Sequence, residues 1–311
     1  MKNKITVIGS LNYDMILKIS RMPYKGESFP ANGMVASAGG KGANQAVQAA
    51  KLGHPTYMVG CVGSDEMGEF LLKTAAKYNV NTEYVRKTSG SSGMAVINNL
   101  EDGSVYAVVV KGANYEVSKQ DIDSSLPILK ESGVCILQNE IPAEIVEYSI
   151  KKAKEAGCVV VFNAAPAIEI KEEYLSMVDI LVVNEVEAEF YCGEVIDSVD
   201  KAVEQIKVMA DRLGNSVIFT LGAEGSVVAT GGKVEIIPSI KVEAVETTGA
   251  GDSYIGAISH CLIEEMDLIS ACKFATKCSS VTVCRYGAQD SMPTLEEICW
   301  ILTNIGSKVY D

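Results

Sequence analysis

Short, mostly apolar runs alternate along this chain with stretches in which apolar residues recur every three or four positions. Residues 4–8 form a β-branched run ending at Gly9, and 57–62, 134–138, 159–162, 180–183 and 217–221 are runs of the same kind. Each is short enough for a strand and apolar on both faces. Helical spacing appears at 44–52, stopping at Gly53, and again at 66–78, 143–156 and 199–213. Three further helical segments close the chain, at about 250–265, 267–283 and 295–304. Strands without a polar face, alternating with helices, predict an α/β fold: a mostly parallel sheet flanked by helices on both faces.

Two places break this rhythm. Residues 12–20 read as an extended piece followed by a loop containing Pro23, Gly26 and Pro30, and the strands 94–98 and 105–110 flank Glu101-Asp102-Gly103. An Asp-Gly pair between two strands predicts a hairpin turn. Strands that arrive without helices predict a small β-sheet of their own, inserted from about 12–36 and 94–110. A second hairpin is expected over 226–237, around Gly231-Gly232. No linker, repeat or low-complexity tract divides the chain, so its 311 residues are expected to form one α/β domain with that small appendage.

Net charge is −13, with the acidic residues scattered, which disfavours a nucleic-acid or anionic-membrane surface. Nine cysteines show no Cys-x-x-Cys spacing, and His54 and His260 are the histidines available to join them. A zinc site is not expected, and reduced, buried thiols in a cytoplasmic protein are. No apolar stretch is long enough for a membrane span, and the start of the chain lacks the apolar run of a signal peptide. Both histidines sit where structural roles are expected, so a general base here would be a carboxylate.

One stretch offers such a carboxylate. Glu246-Thr247-Thr248-Gly249-Ala250-Gly251-Asp252 runs directly into a helical pattern. The free N–H groups of a glycine-rich turn at a helix start, with the helix dipole behind them, attract anions. A phosphate would repel Asp252, which is better explained as a base aimed at a nucleophile beside that phosphate. Anion hole plus adjacent carboxylate is the equipment of phosphoryl transfer to a hydroxyl. The plainer alternative is a tight loop capped by Asp252.

Thr248-Gly249-Ala250-Gly251-Asp252 resembles the C-terminal signature of the ribokinase-like carbohydrate kinases, and Gly39-Gly40-Lys41-Gly42-Ala43-Asn44-Gln45-Ala46 resembles their N-terminal one. The chain between them follows the family in order and spacing. The resemblance implies an ATP-dependent sugar kinase, ribose being the expected sugar and its 5-hydroxyl the acceptor. Asp252 would be the base, also touching the sugar, with the anion hole at Gly249, Ala250 and Gly251. It assigns the sugar to Gly40, Lys41, Gly42, Ala43 and Asn44, to Asn12, Tyr13 and Asp14, and to Glu140. Asn184 and Glu187 would lie near Mg²⁺ and the phosphates. Thr220, Leu221, Gly222, Ala223, Glu224 and Gly225, with Gly251 and Thr276, would bind the nucleotide.

A monovalent cation, K⁺, is implied beside the anion hole, at Glu246, Thr248, Thr282, Arg285, Gly287 and Ser291, largely through backbone carbonyls. Glu246 stands where the family usually has Asp, and Thr276 where it often has His or Asn. The inserted sheet would be a lid over the sugar and the contact of a homodimer, since an open sheet edge benefits from pairing. Alternatives are a kinase of deoxyribose, a ketose or a nucleoside, and a catalytically silent sugar-binding regulator. A dehydrogenase is disfavoured, because no Gly-x-Gly-x-x-Gly follows the first strand.

Overall fold

The structure, a computed structural model, describes residues 2–101 and 104–304. In chain order its strands are β1 (Lys4–Ile8), β2 (Asn12–Ile19), β3 (Gly33–Gly39), β4 (Thr56–Gly63), β5 (Val80–Thr88), β6 (Gly93–Leu100) and β7 (Val105–Val110), then β8 (Ser132–Gln138), β9 (Val159–Asn163), β10 (Ile180–Asn184), β11 (Ser216–Thr220), β12 (Ser226–Thr230) and β13 (Lys233–Ile237). The α-helices are α1 (Lys41–Lys51), α2 (Glu66–Lys77), α3 (Lys119–Ser124), α4 (Leu126–Glu131), α5 (Ala143–Glu155) and α6 (Glu172–Leu175), then α7 (Glu185–Cys192), α8 (Val199–Leu213), α9 (Ala250–Ile263), α10 (Leu268–Thr282) and α11 (Leu295–Asn304).

Among the described residues the main sheet runs β13-β12-β11-β10-β9-β8-β1-β4-β5, parallel except for the hairpin strands β12 and β13 at one edge. The apolar runs of the sequence are its central strands, and alternate residues of each face opposite layers. Cys135 and Leu137 belong to one core with helices α5 and α8, whereas Val134 and Ile136 belong to the other with α1, α9 and α10. Burying each such side chain contributes roughly 1.5–3 kcal/mol, which is what a strand apolar on both faces is for.

A second sheet stands apart, in the order β3-β2-β6-β7, with β2 antiparallel to β3 and parallel to β6. The predicted appendage is therefore present. The pairing of β6 with β7 is the expected hairpin, while the Asp102-Gly103 turn itself lies outside the described residues. Pattern reading missed β3 and β5, whose sequences mix small or charged residues with apolar ones, and the short helices α3, α4, α6 and α7. It also started α1 three residues late. Gly40, at φ 88°, serves as the N-cap, and Asn44 N–H already bonds Gly40 O at 2.9 Å.

The site follows from this layout. α1 begins directly after the second sheet delivers the chain back to the carboxyl edge of the main sheet, and α9 begins at that same edge. The two helices cross closely at Gly256, where an added Cβ would lie 2.6 Å from Gln48 Cβ.

Candidate active site

The glycines of the 39–42 turn exist because another segment passes through the space their side chains would fill. A Cβ on Gly40 would lie 2.7 Å from the backbone nitrogen of Asn12, one on Gly42 2.6 Å from that of Ser10, and one on Gly39 2.0 Å from the Asp14 carboxylate. Ala43 N–H donates to Ser10 O at 2.9 Å. Glu140, just past β8, closes this junction: its Oε2 accepts from the hydroxyl of Ser10 and, at 3.0 Å, from the backbone N–H of Lys41. Asn12 is buried, and its Oδ1 accepts from Asn114 Nδ2 at 2.6 Å. Tyr13 is the exception among the residues grouped here. Strand alternation turns its side chain to the opposite face of β2, where its ring meets Phe70 edge-on at 5.4 Å.

Asp252 lies in the first turn of α9 and is buried. Its Oδ2 accepts from Asn44 Nδ2 and its Oδ1 from Gln45 Nε2, both at 2.9 Å, so the two signature turns meet on one carboxylate. Burial raises its pKa above the ordinary carboxylate value, against the pull of the Lys41 ammonium and the two amides. Asp14 is pushed up to about 7, by burial first and then by the charges of Glu140 and Asp252. For Lys41 burial works downward, but Asp252, Glu140 and Glu187 outweigh it and hold the ammonium above the ordinary lysine value. One cation thus sits among carboxylates drawn from three separate stretches of chain.

The turn before α9 has Gly249 at φ 81°, in the left-handed region, with no side chain capping the helix. Of the three amides expected to form the anion hole, that of Ala250 instead bonds Thr247 O at 3.2 Å. The amides of Gly249, Gly251 and Asp252 keep no protein acceptor among the described residues, and a Cβ on Gly251 would meet nothing within 4 Å. An open, donor-lined notch therefore lies beside the Asp252 carboxylate.

Asn184 and Glu187 form a reciprocal cap at the start of α7: Asn184 Oδ1 accepts from Glu187 N at 3.0 Å, and Glu187 Oε2 from Asn184 N at 2.9 Å. Burial raises the Glu187 pKa. The segment Thr220 to Gly225 is a tight turn after β11, closed by Leu221 N–H to Gly225 O at 2.8 Å. Gly222 and Gly225 have φ of 49° and 102°, while Ala223 and Glu224 are exposed. Thr276 spends its hydroxyl on Cys272 O at 2.9 Å, within α10.

The residues expected around a monovalent cation are brought together in part. Glu246 Oε2 accepts from Gly287 N–H at 2.9 Å, which ties the two loops across the α9 turn. Thr282 and Ser291 are buried, with hydroxyls donating to Cys278 O or Ser253 Oγ and to Ala288 O. Thr248 is exposed on the same loop. The Arg285 guanidinium ion-pairs with Glu297 at 2.8 Å, and a guanidinium repels cations, so its carbonyl is its only usable donor. No group of three or more His, Cys, Asp or Glu with metal-binding geometry occurs among the described residues.

Several participants escaped the sequence reading. Gln45 was visible in the N-terminal signature but had no role assigned. Its Oε1 accepts from Gln138 and its Nε2 also reaches Asn163 at 3.2 Å. Asn114 pins the 11–12 backbone by accepting Leu11 N–H at 2.9 Å. Gln289 donates to Asn44 Oδ1 at 3.1 Å. Isolated Gln and Asn residues carry no spacing signal, and only the folded contacts reveal them. His54 and His260 are, as expected, structural: they contact each other at 2.7 Å, with His260 at the far end of α9 from Asp252.

Residues 2–295 match the family described as pfkB family carbohydrate kinase. A ribokinase of Haemophilus influenzae is 34% identical over 298 residues, covering 96% of this chain and 97% of that protein. A deoxyribokinase of Salmonella typhi is 35% identical over 295 residues, covering 94% and 96%. The solved structure of an Arabidopsis thaliana ribokinase, complexed with ribose and ATP, superposes with a TM-score of 0.89 at 32% identity, covering 97% of this chain and 99% of that one.

Proposed function

The chain belongs to the pfkB family of carbohydrate kinases, and from that premise we propose that it transfers the γ-phosphoryl group of ATP to the 5-hydroxyl of D-ribose. The observation that carries this reading is the Asp252 carboxylate, buried, gripped by Asn44 and Gln45, and flanked by the unpaired amides of Gly249 and Gly251. Asp252 takes the hydroxyl proton while the sugar oxygen bonds to the γ-phosphorus and the bond to the β-γ bridging oxygen breaks, releasing ADP. The amides of Gly249, Gly251 and Asp252 stabilise charge on the transferring group. Lys41 holds positive charge between that group and the sugar carboxylates. Asn12, Asp14, Asn44 and Glu140 supply donors and acceptors suited to vicinal hydroxyls.

Only one oxygen of Glu187 takes part in its helix cap, so Glu187 keeps a hard oxygen donor for magnesium, with Asn184 beside it. Magnesium bound with the nucleotide would neutralise charge at the β- and γ-phosphates. The carbonyls and hydroxyls of the 246–248 and 282–291 loops suit a potassium ion, with Glu246 as the nearby carboxylate. The second sheet serves as a lid over the sugar. Its exposed Met34, Val35, Val108 and Val109 support pairing with a second copy of the chain, which sedimentation would detect. Free, mostly buried cysteines support a cytoplasmic location.

Deoxyribose is the second reading, favoured by the deoxyribokinase at 35% identity beside 34% for the Haemophilus influenzae ribokinase. Measuring ADP release with Mg·ATP across ribose, deoxyribose, fructose and nucleosides, with and without potassium, separates these. Ribose-selective, potassium-stimulated turnover is expected. Preference for deoxyribose would transfer the mechanism to that sugar, and no sugar-dependent turnover would overturn the kinase reading.

A further inference from the structure

Lys51 ends α1, the helix that begins at the glycine turn and carries Asn44 and Gln45. Its ammonium donates to the carbonyl oxygens of Gln289 at 2.7 Å and Met292 at 2.8 Å, and more weakly to Asp290 at 3.4 Å. Three main-chain carbonyls of a segment without regular structure thus converge on one cation. Held this way, the segment turns Gln289 inward, where it is buried and donates its Nε2 to Asn44 Oδ1. An Asn whose oxygen is already occupied by a donor must present its nitrogen elsewhere, and Asn44 presents it to Asp252. The same segment packs Ala288 against Gly249, with Cα 3.2 Å from where a Cβ would stand, and sends the Gly287 amide to Glu246.

Gln289 also keeps a buried Oε1 with no partner among the described residues. An unsatisfied buried acceptor opposes folding, so this amide is poorly explained as packing.

We propose that Lys51 and Gln289 are positioning residues for the reaction: the Lys51 ammonium gathers the 289–292 carbonyls as a built-in cation, and Gln289 relays that arrangement through Asn44 to the Asp252 carboxylate. This rests on Asp252 being the base. Without the Gln289 donor, the Asn44 amide is free to reverse and set its oxygen against the carboxylate, where two acceptors repel.

The experiment is a double-mutant cycle on the full chain with Mg·ATP and ribose. Lys51→Met, Lys51→Arg and Gln289→Met are made alone and together with Asp252→Asn, and kcat, KM for ATP and melting temperature are measured. Gln289→Met and Lys51→Met are each expected to lower kcat by about 10-fold or more, with KM for ATP changed by no more than about 2-fold. Lys51→Arg, which can still donate to the carbonyls, retains most of kcat. In the Asp252→Asn background each further loss shrinks below about 2-fold, because the effect passes through the missing carboxylate. Gln289→Met removes the orphaned oxygen along with the donor and is expected to keep its melting temperature, so it decides the matter even if Lys51→Met fails to fold. Parental kcat in Gln289→Met, or losses that multiply undiminished in the Asp252→Asn background, overturn the relay. Parental kcat in Asp252→Asn is a separate result that removes the base assignment itself, and the relay with it.

Discussion

The two halves of the proposed site are built on different principles. On the sugar side, Asn12, Asn44, Glu140 and Asp252 are buried or half-buried and held by groups from distant parts of the chain, side chains in each case and for Glu140 also the Lys41 backbone N–H. On the nucleotide side, the 184–187 cap and Thr276 satisfy their polar groups within a few residues of themselves, and the 220–225 turn is closed by its own backbone, with the Thr220 hydroxyl and the Ala223 carbonyl reaching further, to Val183 and Ser239. The first half is therefore rigid and specific in its chemistry, because each group is fixed by several others. The second is a shape, made of turns and backbone, that tolerates changes of side chain provided the turns survive.

The largest test of this contrast is Asp252→Asn. Removing the base should lower kcat by roughly 10²–10⁴-fold in a steady-state assay. A variant with parental turnover would show that the buried half is not where the chemistry occurs. Next is Gly42→Ala, where the new methyl meets Ser10 backbone rather than a movable side chain. Overpacking of this kind costs about 1–3 kcal/mol, readable as a lower urea midpoint. An unchanged midpoint would mean the junction is softer than its contacts imply.

Asp14 sharpens the comparison through pH. With its pKa raised from 3.8 to about 7, the folded chain binds a proton that the unfolded chain has already released. Between about pH 4 and 7 the folded state holds more protons, so this contribution to stability is full at low pH and is lost as pH rises through 7. Melting temperature of the sugar-free protein, compared with that of Asp14→Asn, should show the parent losing ground from pH 5 to 8. Parallel curves would remove the assignment. The smallest effect is expected on the nucleotide side. Thr276→Ala deletes a bond internal to α10, and its KM for ATP should stay within about 2-fold, as for substitutions worth ~0.5 kcal/mol or less.

Legibility followed the same division. The parallel sheet was readable because 134–137 or 180–183 are apolar throughout and can be stable only when covered on both faces. The two signatures were readable because a turn that must bring glycines together leaves them adjacent in sequence. β3 and β5 were not, since GMVASAG and VNTEYVRKT owe their strand form to neighbours rather than to their own pattern. Gln45, Asn114 and Gln289 were illegible as participants for a related reason. An amide's role depends on which donor faces its oxygen, and the partners lie 93 residues away for Gln138 and Gln45 and 245 for Gln289 and Asn44. The Ala250 amide shows the limit in the other direction: the turn was recognised, but not that its own geometry would engage one of the three donors.

The crowding of the glycine turn has a bearing on how this protein could be re-engineered. Gly40 and Gly42 face backbone where a methyl group would stand, so a library aimed at new acceptor sugars would mostly yield misfolded clones if it randomised those positions. Asp14, by contrast, pairs across the second sheet with Ser37 on one side and Ala95 on the other, and these are small side chains on its own face. Diversity written at 37 and 95 would remodel the floor beside Asp14, one of the carboxylates proposed to meet the sugar, and leave the supports of Asp252 intact.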